Sequence, residues 1–108
     1  MGTCYLVAMR VIARNNLVAF YTVHQETKAP LERWYAIVKA ANWNNTADVK
    51  MAFSNAVILN GERVKFEVLG GNFRLIAAFD FRRGITFIKF IGTHEQYDRI
   101  DALTVSQF

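Results

Sequence analysis

GNFRLIAAFDFRRGITFIKFIGT, residues 71–93, places apolar side chains at alternate positions on both sides of a single Arg-Arg-Gly break. That pattern predicts two long antiparallel strands with one apolar face and one polar face. Working backward, Gly70-Gly71 read as a two-residue turn joins the first of these strands to the run RVKFEV at 63–68. The pairing then sets Val68 against Phe73, Phe66 against Leu75 and Val64 against Ala77, with Glu67 opposite Arg74 on the other face. Working forward, a two-residue turn at Arg83-Gly84 sets Phe79 against Ile88 and Ala77 against Phe90 on the core side. It leaves Asp80, Arg82 and Lys89 on the charged side and brings Arg74 opposite Thr93. A three-residue turn at Arg82 to Gly84 competes; it would point Lys89 inward, where an unpaired ammonium is costly. With Asn60-Gly61 as a further hairpin signal, the second half of the chain reads as an antiparallel meander. Its charged face carries Arg63, Lys65, Glu67, Arg74 and Lys89 and is expected to be open.

The first half changes period. A short strand is expected over roughly residues 5 to 13, followed by a helix capped by Asn16 with Leu17, Phe20, Tyr21 and His24 on one face. His24 reads as packing there. Pro30 suits a first helical turn, and Leu31, Trp34, Tyr35, Val38 and Ala41 follow at amphipathic spacing, so the two helices form a hairpin. A third, short helix is expected from Asn45 or Thr46 to about Phe53, with Asp48 in its first turn. The fold class is therefore α+β: an N-terminal strand and helices on one face of a small antiparallel sheet, and a short C-terminal helix.

Composition agrees with one domain spanning residues 1–108. Of its residues 53% are hydrophobic, enough for a single packed core. Thirteen Lys and Arg against nine Asp and Glu give a net charge of +4, which points to a polyanionic partner. The one cysteine, Cys4, has no partner for a disulfide, so a reducing, cytoplasmic setting is expected. The apolar run Cys4 to Met9 is too short for an export signal, and no run approaches the ~18 residues of a membrane span.

The strands end in IGTHEQYDRID, residues 91–101. Thr93 followed by Gln96 matches a capping box, so a helix is expected to begin at Thr93. His94, Tyr97 and Asp98 then lie on one side of it, and free N–H groups at its start favour an anion such as phosphate. Two readings stay open at this point. His94 is either an exposed first-turn residue or a reactive one. Arg74 is either half of a surface ion pair with Glu67, worth ~0.2 to 1 kcal/mol, or an anion-holding group. A metal site needs more ligands than His94 and Asp98, and the other histidine, His24, lies in the other half; no metal or cofactor is expected.

RVIAR at 10–14, WYAIVKAANW at 34–43 and GNFRLIAAFDFRRGITFIKFIGTHEQYDRID at 71–101 resemble, in order and spacing, the HigB toxins of bacterial type II toxin-antitoxin modules, within the RelE/ParE-like superfamily. The resemblance runs from Met9 onward, leaving residues 1–8 as a leader outside it, and rests chiefly on GNFRL followed by GTHEQYD. It implies a RelE-like fold and a ribosome-dependent mRNA interferase that needs no metal, in which the ribose 2′-OH attacks the adjacent phosphate. It also implies a HigA-like helix-turn-helix antitoxin as partner, and operator DNA bound only through the complex of the two. By motif position, Arg74, His94 and Tyr97 become catalytic, Arg63, Lys65 and Lys89 RNA-binding, and Thr93 and Asp98 supporting. The alternative within the superfamily is a ParE-like toxin that acts on gyrase without cutting RNA; a histidine beside Arg74 favours the nuclease.

Overall fold

The computed structural model describes residues 9–108. The part of the expected first strand that precedes Met9, with Cys4, lies outside the described residues. What is described of it is β1, Arg10–Ile12, which leads directly into α1, Arg14–Val23. Ala13 occupies the N-cap without a side-chain bond, so Asn16 is inside the first turn and does not cap it. A 3-10 turn, Gln25–Thr27, joins α1 to α2, Lys28–Ala40, in which Leu31, Trp34 and Val38 are buried. Pro30 sits in the first turn of α2, where its missing N–H has no helical partner to lose. The third helix, α3, spans Thr46–Ala52. Asn45 caps it by accepting from the Asp48 N–H at 3.0 Å, and the Asp48 carboxylate reaches back to the Asn44 N–H at 2.8 Å. Of these three helix starts, that of α3 is the one local chemistry specifies best, because a short polar side chain accepts from an otherwise unpaired N–H group.

The strands that follow are β2 (Val57–Ile58), β3 (Arg63–Val68), β4 (Phe73–Asp80) and β5 (Ile85–Thr93), and α4, His94–Tyr97, comes last. The sheet order is β1-β5-β4-β3-β2. All neighbours are antiparallel except β1, which lies parallel to β5 at the edge. The β3–β4 register is the expected one, Val68 to Phe73 through Val64 to Ala77, with Glu67 opposite Arg74. One face of the sheet packs on the helices: Val64, Phe66, Val68, Phe73, Leu75, Ala77 and Phe79 join Leu17, Leu31, Trp34, Val38 and Val49 in a single core. Edge-to-face aromatic contacts tie that core together, among them Trp34 on Phe66 at 5.4 Å and Phe53 on Phe66 at 5.0 Å.

The β4–β5 turn differs from both readings, and the register beyond the bulge, Ile76 to Phe90 through Phe73 to Thr93, is that of the three-residue alternative. Asp80 pairs with Ile85, leaving a four-residue loop, Phe81 to Gly84. The Asp80 side chain closes that loop by accepting from the Arg83 N–H at 3.0 Å, and its carbonyl accepts from the Gly84 N–H at 2.9 Å. Gly84 supplies the positive φ of +69° that the closure needs. The register then shifts by one between Ile76 and Ala77, because Ala77 faces Ile88 while Ile76 faces Phe90. Lys89 is the extra residue of this bulge. Its consequence is a change of face: Ile88 and Ile91 enter the helix-side core, whereas Phe90 is buried outside it. Phe79 accordingly pairs with Thr86, and Arg74 with Gly92; Thr93 faces Phe73.

The second sheet face is not open either. The chain after α4 returns across it, anchored by Arg63, whose guanidinium donates to the carbonyls of Ala102 at 3.1 Å and Val105 at 2.8 Å. The Gln107 N–H donates to the Lys89 carbonyl at 2.9 Å, and the Gln107 side chain accepts from the Ile91 N–H at 2.9 Å. Ile76, Ala78 and Phe90, which belong to this face, are 0%, 6% and 4% exposed. The terminal segment therefore covers the middle of the face and leaves its two ends accessible.

That role of Arg63 gives a first prediction. Arg63→Ala leaves two partly buried carbonyls without their charged donor, a loss of about 1 to 3 kcal/mol, and it frees the chain end. Urea denaturation should show the lower midpoint, and limited proteolysis should remove residues beyond Ile100 faster than in the parent protein.

Candidate functional site

The accessible end of the second face holds Arg74 on β4, Lys65 on β3 and the ring of Tyr97 from α4. The Arg74 guanidinium carbon lies 5.2 Å from the Tyr97 ring centroid and the Lys65 ammonium 5.5 Å from it. Two cations thus flank one aromatic ring, which Phe90 supports from below in an edge contact at 6.2 Å. The bulge makes this possible, since it turns Phe90 to the face on which Tyr97 packs. Arg74 donates its Nε to the Gly71 carbonyl at 3.3 Å, which fixes the side chain at the mouth of the β3–β4 turn. Lys65 is also 3.6 Å from the Glu67 carboxylate.

His94 opens α4, and its position is fixed by its neighbours rather than by its own ring. Thr93 and Gln96 form the complete capping box: the Gln96 N–H donates to the Thr93 hydroxyl at 3.1 Å and the Thr93 N–H to Gln96 Oε1 at 2.9 Å. The His94 N–H donates to the Asn72 carbonyl at 3.0 Å, pinning α4 to the loop just before Arg74. The Thr93, His94 and Gln96 N–H groups are thus already used within the protein and are not the free donors for a phosphate that the capping pattern suggested. The His94 side chain itself is half exposed, and its Nδ1 lies 3.4 Å from an Asp98 carboxylate oxygen, an ion pair when the imidazole is protonated. Both side chains of this pair are more than half exposed.

Of the residues expected in a site, Arg74, Lys65 and Tyr97 meet directly, while His94 opens the same short helix, with Thr93 capping its start and Asp98 3.4 Å from its Nδ1. Lys89 does not join them: it sits on the bulge with its ammonium 5.4 Å from the Phe87 ring centroid, beyond the terminal segment. Arg63 is 8% exposed and committed to the carbonyls of residues 102 and 105, so its expected place as an RNA-binding cation is corrected to a structural one. His24 is packing, as expected, stacked on Phe20 at 4.4 Å and edge-on to Phe73 at 5.3 Å. Among the described residues no three His, Cys, Asp or Glu side chains gather as a metal site would require.

Gly92 is a residue that pattern reading passed over. A Cβ there would lie 2.5 Å from Gln96 Oε1 and 2.8 Å from Phe90 Cζ, so any other residue would push back the tips of the capping glutamine and the supporting phenylalanine. Its signal in the sequence is a glycine directly before a capping-box threonine at the end of a strand. Gly92→Ala should break the box at about 0.5 to 2 kcal/mol and disorder His94. Thermal denaturation and the NMR shifts of the residue 93–97 amides would register both effects.

A strand meander backed by a helical hairpin, with a cationic and aromatic cluster at one end of the sheet, defines a small RelE-like α+β domain. Residues 27–100 match the family model HigB_toxin, described as the RelE-like toxic component of a toxin-antitoxin system. The chain belongs to that family; it is a toxin, and it has an antitoxin as its partner. A comparison with curated proteins gives no significant match.

Proposed function

We propose that this toxin is a ribosome-dependent mRNA interferase of the cytoplasm, neutralised by a HigA-like helix-turn-helix antitoxin through which the pair binds operator DNA. The observation that carries the reading is the convergence of Arg74 and Lys65 on the Tyr97 ring, beside a helix start that presents His94 to solvent. No helix among the described residues is long and apolar enough to cross a membrane.

RNA carries its own nucleophile, so the protein must bind, hold charge and move protons. The ribose 2′-OH attacks the adjacent phosphorus, the P–O5′ bond breaks, and the products are a 2′,3′-cyclic phosphate and a 5′-OH. Arg74 holds the non-bridging oxygens and stabilises the charge that grows on them; the planar guanidinium offers two parallel donors. Lys65 adds a second positive charge from the adjoining strand. His94 takes the 2′-OH proton or returns one to the leaving 5′-oxygen, with Asp98 holding its other nitrogen. Tyr97 stacks on a base or assists proton transfer, and substrate enters the cluster as Arg74 and Lys65 turn from its ring to the RNA phosphates.

The test is primer extension on a reporter mRNA after induction of the toxin, with and without an intact start codon. Discrete cuts inside translated codons that vanish when the start codon is removed are the expected outcome. Intact mRNA together with DNA strand breaks would replace this reading with the gyrase-directed one.

A further inference from the structure

At the opposite edge of the sheet from β1 the pairing is incomplete. β2 covers β3 only as far as Lys65, through Val57–Lys65 and Ile58–Val64, while β3 continues to Val68. The Leu59 N–H bonds the Arg63 carbonyl and the Phe79 N–H bonds the Glu62 carbonyl, so odd-numbered residues of β3 turn their peptide groups toward the β2 side. Glu67 therefore presents its N–H and C=O to an edge that no described strand covers. That free edge floors a groove of about 500 Å³ walled by α2 through Arg33, Trp34 and Ile37, and by the α3–β2 loop. Ile37 and Leu69, at its rims, are 36% and 40% exposed.

Two observations say what fits there. The peptide groups of the floor can be satisfied by an extended chain lying beside β3, but not by a helix, whose own peptide groups are already paired. The rim also carries a cation: Arg33 lines the groove and has no carboxylate within ion-pairing distance among the described residues. We infer that an extended, acidic segment of the antitoxin adds to β3 alongside Phe66–Val68. It places an apolar side chain in the groove against Trp34 and Ile37 and a carboxylate on Arg33. The inference rests on the antitoxin that family membership supplies and is independent of RNA cleavage.

The experiment uses the full-length toxin and the antitoxin encoded by its adjoining reading frame, co-purified and then titrated. Ile37→Glu and Arg33→Glu, both exposed helix positions remote from Arg74 and His94, should each weaken the complex roughly 30- to 100-fold. Toxicity without antitoxin, and the circular dichroism spectrum, should stay unchanged. Hydrogen exchange on the parent complex should slow the Glu67 amide, and the indole N–H resonance of Trp34 should shift. Unchanged affinity in both variants would overturn the site. Protection of the groove side chains without slowing of Glu67 would overturn the added strand.

Discussion

Arg74→Ala is expected to slow mRNA cleavage about 10²- to 10³-fold in a protein that remains folded. The guanidinium is the one group in the cluster that can hold a phosphate with two donors at once, and it stands at the end of β4 where the turn at Gly71 fixes its base. The fold gives up little in exchange, one hydrogen bond at 3.3 Å and a cation–aromatic contact at 5.2 Å, together about 1 to 2 kcal/mol at a half-exposed position. Arg74→Lys separates charge from geometry, since lysine keeps the positive charge and loses the fork. Its rate should fall between those of the parent and the alanine variant. Single-turnover cleavage on programmed ribosomes, with urea denaturation as the control, measures both quantities.

The second large effect is at His94. His94→Ala removes the proton-transfer group and should lower the single-turnover rate about 10²- to 10⁴-fold. The start of α4 should survive, because Thr93, Gln96 and Asn72 hold it without the imidazole. Stability should therefore be within about 0.5 kcal/mol of the parent, and antitoxin binding at the β3 edge should be unaffected. Asp98→Asn offers the graded comparison: an exposed pair at 3.4 Å is worth ~0 to 1 kcal/mol, so the rate should drop by no more than about fivefold. A loss as large as that of His94→Ala would mean that Asp98 itself contacts the reacting groups.

How far the sequence was legible follows from which forces were local. The β3–β4 register could be read because Val64, Phe66 and Val68 and their partners must all face the helices, and a slip of one residue would expose every one of them. The capping box at Thr93 and Gln96 could be read because both partners lie within one turn. The β4–β5 register could not, because Phe87, Ile88, Phe90 and Ile91 are apolar on either side of Lys89, so alternation tolerates a bulge there without protest. What decides it is the Asp80 side chain closing a four-residue loop.

The covered outer face had no signal of its own in the sequence. Residues 101–108 show no periodicity, and they are held by backbone carbonyls on Arg63, by the Gln107 N–H on Lys89 and by the Gln107 side chain on Ile91. A row of alternate charges such as Arg63, Lys65 and Glu67 reads as a solvated face until a distant segment is found lying on part of it. The cluster that the fold brings together is smaller than the set of residues expected from the sequence. Arg74 and Lys65 meet on the Tyr97 ring at one end, with His94 at the start of the helix that carries Tyr97; Arg63 is an anchor for the chain end, and Lys89 stands apart on the bulge.

The central claim, that the cluster cuts RNA with the RNA's own 2′-OH, is tested most directly by the chemistry of the ends left on an mRNA cleaved by purified toxin on translating ribosomes. The account predicts 5′-hydroxyl ends that accept phosphate from a kinase without prior phosphatase treatment, each matched to a 2′,3′-cyclic phosphate, and neither product with Arg74→Ala. Ends bearing 5′-phosphate, or an mRNA left whole by toxin that still arrests growth, would contradict it.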